Sequence, residues 1–389
     1  MFNSLRIPHY FSSALSREID ELYASAAIAN FALAVVMIFE PIFLYSVLKF
    51  TVQEVLLFFA AVYACYVLFI PFGAKVVSRY GYAHGILFNI PFQVLFWFFL
   101  FGSQENIAFI YIAPIIFAIQ KALYWPAFHA SVARFAREGQ IGREFSMMKA
   151  IINLAFILGP ILGGLISERF GVRMLFVLAS SIYTLSFIPV FLHKEIFIPK
   201  IYQFADTWKL YKMFPKKFLA YFGFGEELLV LTIWPIFIYV AVQDYADTGK
   251  LVTIATLVAT LLVLGVGKLT DEWSKQKLAR FGTWVYALVW FMRLCAKGFW
   301  GVFTVDMLSR TIKDVVFVPL STLTYERAES THIMPYVVFF EQTLALAKFL
   351  AAVVGIIVFG FIASMFGQLA GFYSLFILGA LFTLLYAYI

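Results

Sequence analysis

The sequence predicts an all-α membrane protein whose twelve transmembrane helices form two parallel six-helix bundles, and three observations lead there. The composition is that of a chain solvated by lipid: mean hydropathy is +0.90, with 63% hydrophobic and only 13% charged residues, where soluble domains carry about 25% charged residues. The apolar runs are of helix length, and a spanning helix needs about 20 such residues because the bilayer core offers no water to the backbone. The second half also repeats landmarks of the first. Pro41, Ile42, Phe43 and Tyr45 recur 194 residues later as Pro235, Ile236, Phe237 and Tyr239, while Lys75, Pro126 and Arg134 recur 193 residues later as Lys268, Pro319 and Arg327. A repeated set of long apolar segments marks a duplicated bundle.

Taken in order, the apolar runs predict spans one to six at 22–48, 52–74, 81–102, 106–129, 145–167 and 172–193. Spans seven to twelve follow at 217–242, 248–268, 278–302, 303–325, 334–363 and 368–389, with a very tight hairpin between nine and ten. The domain reading is therefore a first bundle over 1–193, a cytoplasmic linker over 194–216 carrying most of six lysines, and a second bundle over 217–389. Lys and Arg concentrate on one side of these spans, with only Lys49, Arg169, Arg173 and Lys250 opposite. Positive charge is retained in the cytoplasm, which places both termini there and the chain in the plasma (inner) membrane. The net charge of +7 reads as this topology signal, and no interleaved basic and aromatic surface suggests nucleic acid. Cys65 and Cys295 fall inside spans and imply no disulfide framework. The five His residues show no metal-ligand spacing and no phosphate-binding loop is present, so no cofactor is expected and ATP-driven work is disfavoured.

Between spans eight and nine, Gly267, Lys268, Leu269, Thr270, Asp271, Glu272, Lys275 and Lys277 resemble the cytoplasmic loop motif of the major facilitator superfamily. The equivalent loop between spans two and three keeps Arg79 and Gly81 but has Ser78 where the motif is acidic. The resemblance implies a gating role for Arg79, Gly81, Gly267, Asp271 and Lys275. A carboxylate at such a place caps a helix N-terminus of the other bundle through the helix dipole, and Ser78 lacks it. In span five, Gly159, Pro160, Gly163 and Gly164 resemble part of the motif of the superfamily's antiporters; the plainer reading is small-residue helix packing. The superfamily fold implies a cavity lined chiefly by spans one, four, seven and ten.

Charges within spans are expensive when they face lipid, about 2.5 to 3.5 kcal/mol each at the bilayer centre. The acids Glu40, Glu226, Glu227, Asp306, Asp314 and Glu341 balance the bases Lys121, Arg293, Lys297, Arg310, Lys313 and Lys348, which predicts mutual pairing inside. Asp306, Arg310, Lys313 and Asp314 form a polar stripe on span ten, at helical spacing. Counting about 1.5 Å per residue, Glu40 and Arg310 lie at similar depths from the outer face and are expected to meet across the cavity. Lys121 is likewise expected to pair with Glu226 or Glu227. Arg293 and Lys297 read as structural, with Lys297 reaching back to the interface. Pro41, Pro126, Pro235 and Pro319 are candidate bends.

A carboxylate beside a base can exchange that partner for a proton, so Glu40, Glu226 and Glu227 are the candidates for proton coupling. Lys121, Arg310, Lys313 and Asp314 are candidates for binding a polar or anionic solute, with Trp125 and Trp234 to stack on it. The expectation is a monomeric secondary active transporter in contact with lipid, moving a small solute by alternating access on a proton gradient, with sodium an open second driver. An exporter of amphipathic drugs coupled to protons is the rival within the class. A non-transporting receptor or scaffold is the rival outside it, disfavoured because a scaffold gains nothing from buried ions. No clustered nucleophile and base points to an enzyme.

Overall fold

In a computed structural model, residues 17–135, 141–192, 199–270 and 274–389 are described, and they are helical almost throughout. Span one comprises Arg17–Val36, Phe39–Ile42 and a π-helical turn, Phe43–Val47; the irregular stretch surrounds Pro41, which has no N–H to donate. Spans two to six are Val52–Tyr80, Tyr82–Gly102, Phe109–Phe135, Ile141–Phe170, and Val172–Leu185 with Phe187–Leu192. A linker helix, Phe204–Met213, leads to span seven, which is broken into Pro215–Phe222 and Gly225–Val242. Spans eight to twelve are Tyr245–Thr270, Lys275–Met292, Gly298–Ser330, Ile333–Phe366 and Gln368–Leu384.

Local chemistry sets the ends. Span two starts on a capping box, in which Thr51 Oγ1 accepts from the Glu54 N–H at 3.2 Å while the Thr51 N–H donates to Glu54 Oε2 at 2.7 Å. It stops at Gly81, whose φ of 112° suits a residue without a Cβ and turns the chain into span three. The break between spans nine and ten falls at 296–297, before Gly298 with φ 58°, earlier than the hairpin expected near 303.

Among the described residues, ten helices are long and apolar enough to cross a membrane. Spans nine and ten fall short for readable reasons: Lys275, Lys277 and Arg280 crowd the start of nine, and Asp306, Arg310, Lys313 and Asp314 interrupt ten. Both still pack as members of the second set of six, nine against ten and twelve, and ten against eight and nine.

The two halves meet along spans five and eight and along two and eleven, with four touching ten and eleven and one touching seven. Small residues permit the five–eight contact. A Cβ at Gly164 would stand 2.6 Å from the Tyr245 carbonyl oxygen, and one at Gly249 would collide with the Pro160 carbonyl. Gly159 and Gly163 press on Ala34 and Val35 of span one in the same way. The glycines of the antiporter-like motif are thus close-packing positions.

The linker, expected as a solvated connection, has an ordered helix with one buried face, Thr207 and Leu210. The Lys200 N–H donates to the Ser78 carbonyl at 2.9 Å. Thr207 Oγ1 donates to the Pro335 carbonyl at 3.2 Å, and Tyr211 Oη to Gln342 Oε1 at 3.0 Å. Burial pushes the Tyr211 phenol up to about 12, so it keeps its donor hydrogen at neutral pH.

We expect Gly73→Val to cost about 1–3 kcal/mol, because a Cβ at Gly73 collides with the Ala122 carbonyl of span four. Thermal unfolding of the purified protein in detergent should show the fall, while Gly301→Ala, which meets nothing nearer than 3.6 Å, should leave the midpoint in place.

Candidate functional site

The break in span seven sets up the main ionic cluster. Helix Gly225–Val242 begins with Glu226 and Glu227 in its first turn, where the helix dipole favours negative charge. Glu227 is held from both sides, by Lys313 Nζ of span ten at 3.2 Å and Lys348 Nζ of span eleven at 2.6 Å. Lys313 also reaches Glu226 at 3.1 Å, and the phenols of Tyr286 and Tyr386 donate to Glu226 at 2.9 and 3.1 Å. Two carboxylates and two ammonium groups from spans seven, ten and eleven therefore neutralise one another, with Glu226 fully buried. Lys313 and the two glutamates, singled out from the sequence, are brought together.

A second group sits on the same half. Asp306 accepts from Trp234 Nε1 at 2.8 Å and pairs with Arg310 Nε at 2.8 Å, one turn along span ten. Trp234 is buried and occupied by Asp306, which leaves its edge committed to protein. Arg293 is fully buried with its guanidinium 3.4 Å from the Trp290 ring centroid and 4.8 Å from that of Trp234. Its Nη2 donates to Ser309 at 2.6 Å. Lys297 is exposed at the loop, and Asp314 is half-buried one residue beyond Lys313.

In the first half, Glu40 is buried and accepts from Trp97 Nε1 at 2.8 Å, with no ion pair among the described residues. The expected meeting of Glu40 with Arg310 does not occur in this conformation, because Arg310 is taken by Asp306 on its own helix. Nor does Lys121 pair with Glu226 or Glu227. It lies over the Phe117 ring at 4.3 Å and the Tyr63 ring at 5.7 Å, and Lys348 lies over the same Tyr63 at 5.4 Å. Span eleven packs directly on span seven, so Lys348 reaches Glu227 where Lys121, across the interface, does not.

Sequence reasoning missed a cross-half latch. His129 of span four donates or accepts at both ring nitrogens, Nδ1 to Tyr325 Oη of span ten at 2.7 Å and Nε2 to Glu341 Oε1 of span eleven at 2.8 Å. Tyr66 Oη of span two donates to Glu341 Oε2 at 2.6 Å. Trp125, expected to stack on solute, instead stacks on His129 at 5.4 Å. The available signal was Glu341 alone, since its partners come from distant spans. This latch lies towards the end that carries the linker; at the opposite end Ser46 Oγ and Tyr245 Oη meet at 2.7 Å, so the halves touch on both sides of the ionic cluster.

The gating residues read from the sequence are more dispersed. Arg79 is exposed beside the Tyr80 ring, and Gly81 makes the turn already described. Lys275 pairs with Glu326 of span ten. Gly267 lies in the helix of span eight, and Asp271 and Glu272 lie outside the described residues.

Residues 22–200 match the sequence model of the Major Facilitator Superfamily. The quinolone resistance protein NorA of Staphylococcus aureus is 27% identical over 175 residues, 45% of this chain and 44% of that protein. An uncharacterized MFS-type transporter of Methanocaldococcus jannaschii is 23% identical over 173 residues, 41% of this chain and 45% of that protein. The chain thus spans less than half the length of the curated relatives it matches. In three dimensions the likeness is chain-long: the nucleoside transporter NupG superposes with a TM-score of 0.72 at 10% identity, covering 95% of this chain and 98% of that one. A structure from the proton dependent oligopeptide transporters gives 0.71 at 11% identity, covering 96% and 97%. At such identities these two establish the fold.

We expect Glu227→Ala to destabilise the protein by about 3–5 kcal/mol, since it leaves two buried ammonium groups short of a partner. Adding Lys348→Met should recover part of the loss, and a double-mutant cycle on unfolding in detergent measures the coupling.

Proposed function

We propose that this protein, whose residues 22–200 match the major facilitator superfamily model and whose fold resembles that of solved transporters along its length, is a proton-coupled secondary transporter moving a small polar or charged solute by alternating access. The observation that carries this reading is the concentration of buried charge in the second half, on spans seven, ten and eleven, with Lys348 lying over Tyr63 of span two where the halves meet. Glu226, Glu227, Lys313 and Lys348 lie deep among helices, a costly arrangement in a membrane that marks a pathway rather than a scaffold. The linker end is the cytoplasmic end in this reading, from the distribution of Lys and Arg.

The acids divide by partner. Glu226 and Glu227 are held by ammonium groups and phenols. Glu40 is held by a hydrogen bond from the neutral indole of Trp97 and has no ion pair among the described residues, so it is the acid best suited to gain and lose a proton during the cycle. Lys121, half-buried and facing Lys348 across Tyr63, is the cation with most freedom to meet a solute. The latch of Tyr66, His129, Tyr325 and Glu341 closes the cytoplasmic end. Opening that end removes both donors from Glu341 at once.

A second reading, proton-coupled export of amphipathic compounds, draws on the similarity of 45% of the chain to a quinolone resistance protein and on the close-packed glycines of span five. Proton flux into proteoliposomes, screened against pooled amino acids, sugars, organic anions and cationic drugs, separates the two readings by which pool gives a signal. In Glu40→Gln we expect proton movement to be lost while counterflow exchange of the same solute persists; full proton flux in this variant would sink the assignment of Glu40.

For the latch, Glu341→Gln and His129→Asn should favour the conformation open to the cytoplasm. With Cys65 and Cys295 replaced by Ser, a cysteine introduced by Ser321→Cys should then label severalfold faster with a charged maleimide applied from the linker side. Unchanged labelling would mean the latch does not govern that opening.

A further inference from the structure

Span three presents Asn89, Gln93 and Trp97 at four-residue intervals, on one helical face, and all three are fully buried. Each end of this face is engaged. Trp97 Nε1 donates to Glu40 Oε1 at 2.8 Å. Asn89 Oδ1 accepts from Tyr183 Oη at 2.7 Å and from Gln120 Nε2 at 3.1 Å. The middle is not: neither amide atom of Gln93 has a hydrogen-bond partner. A buried amide with both groups unmet is strongly unfavourable, and such places in proteins are filled by ordered water.

A cavity adjoins this face. It is lined by Ser25, Asn89, Tyr124, Tyr183 and Ser186 together with apolar neighbours, all from the first half. Tyr183 belongs to both parts, since it lines the cavity and sets its ring edge-on to Trp97 at 5.6 Å. Polar side chains thus recur at successive turns of this face, from Asn89 at the cavity through Gln93 to Trp97 and its partner Glu40. The other charged group within electrostatic reach of Glu40 is Lys121 of span four.

We propose that Gln93 binds water and that this face of span three is a proton-access route to Glu40, running inside the first half and separate from the solute path between the halves. It rests on the reading of Glu40 as the coupling acid. The transfer is a plain proton relay: a proton entering from the aqueous phase protonates water in the cavity and passes to the water at Gln93 as the O–H bond on the cavity water breaks. It passes on to the Glu40 carboxylate, forming an O–H bond at Oε2 because Oε1 is held by Trp97; both waters end neutral. Release runs the same steps backwards. No electron changes hands.

Infrared spectroscopy of the purified protein in deuterated buffer tests this without any solute. The carboxylic acid band that grows in on acidification and is missing from Glu40→Gln reports Glu40, and its shift on transfer to deuterated buffer gives the exchange rate. Gln93→Leu, which fills the space with methyl groups, should slow that exchange at least about tenfold, a barrier increase of about 1.4 kcal/mol. Gln93→Ala vacates the space for water and should keep the rate near that of the unaltered protein; a merely structural role for Gln93 would not separate the two variants. A band absent from Glu40→Gln but exchanging at the normal rate in Gln93→Leu overturns the route and leaves the coupling acid standing. A band that survives Glu40→Gln unchanged overturns both.

Discussion

Every charge that this chain takes out of water has to be answered by another protein group, because lipid answers none. Much of the architecture follows from that demand. Span ten tolerates Arg310 and Lys313 in its middle because Asp306 on the same helix and Glu226 and Glu227 of span seven are positioned to meet them. Span seven is interrupted at 223–224, just where its two glutamates enter the bundle beneath Lys313 and Lys348. Replacing any one member strands its partner in a medium that cannot solvate it, so the cluster is held as a unit. The second half is consequently the more tightly braced of the two, and the first half carries an acid hydrogen-bonded to a neutral indole, with no ion pair among the described residues.

The repeat makes this asymmetry visible. Trp97 and Trp290 occupy corresponding positions, 193 residues apart. In the first half the indole N–H is spent on a carboxylate, whereas in the second half Trp290 has no hydrogen-bond partner and lies flat under Arg293. One ancestral position thus supports an acid in one bundle and a cation in the other. Duplicated folds can share a backbone while dividing the chemistry between their halves.

The fold was legible in the sequence because its signals are local: run length, hydropathy, the repeat offset and the side preference of Lys and Arg. That the acids of span seven and the stripe of span ten share one interior was legible too, since both lie on spans that line the cavity in the resembled fold; the partner was not, for the sequence reading gives those acids to Lys121 and the structure gives them to Lys313 and Lys348. Lys348 was not, as a lone Lys in an apolar run gives no hint of which neighbour it faces. The same holds for the latch, whose four members come from spans two, four, ten and eleven; only packing puts Tyr66, His129 and Tyr325 around Glu341. For Trp125 and Trp234, read from the sequence as able to stack on a solute, proximity to His129 and Asp306 sets the contacts they make here, and that is a tertiary fact. The linker was misjudged for its lysines, while Thr207, Leu210 and Tyr211 supply the face that docks.

That docking has a mechanical consequence. Gln342, next to the latch residue Glu341, accepts from Tyr211 of the linker helix and donates to the Val67 carbonyl, next to Tyr66, at 3.0 Å. The linker therefore grips the molecule at the place where the halves part in the proposed cycle, and its other anchor, Lys200 on Ser78, is on the first half. Between that anchor and the linker helix lie only residues 201–203, extended chain that spans at most about 11 Å. The connection is a short leash: it caps how wide the linker end can swing while its anchors hold, so the depth of the opening is set by chain length as well as by the chemistry of the latch.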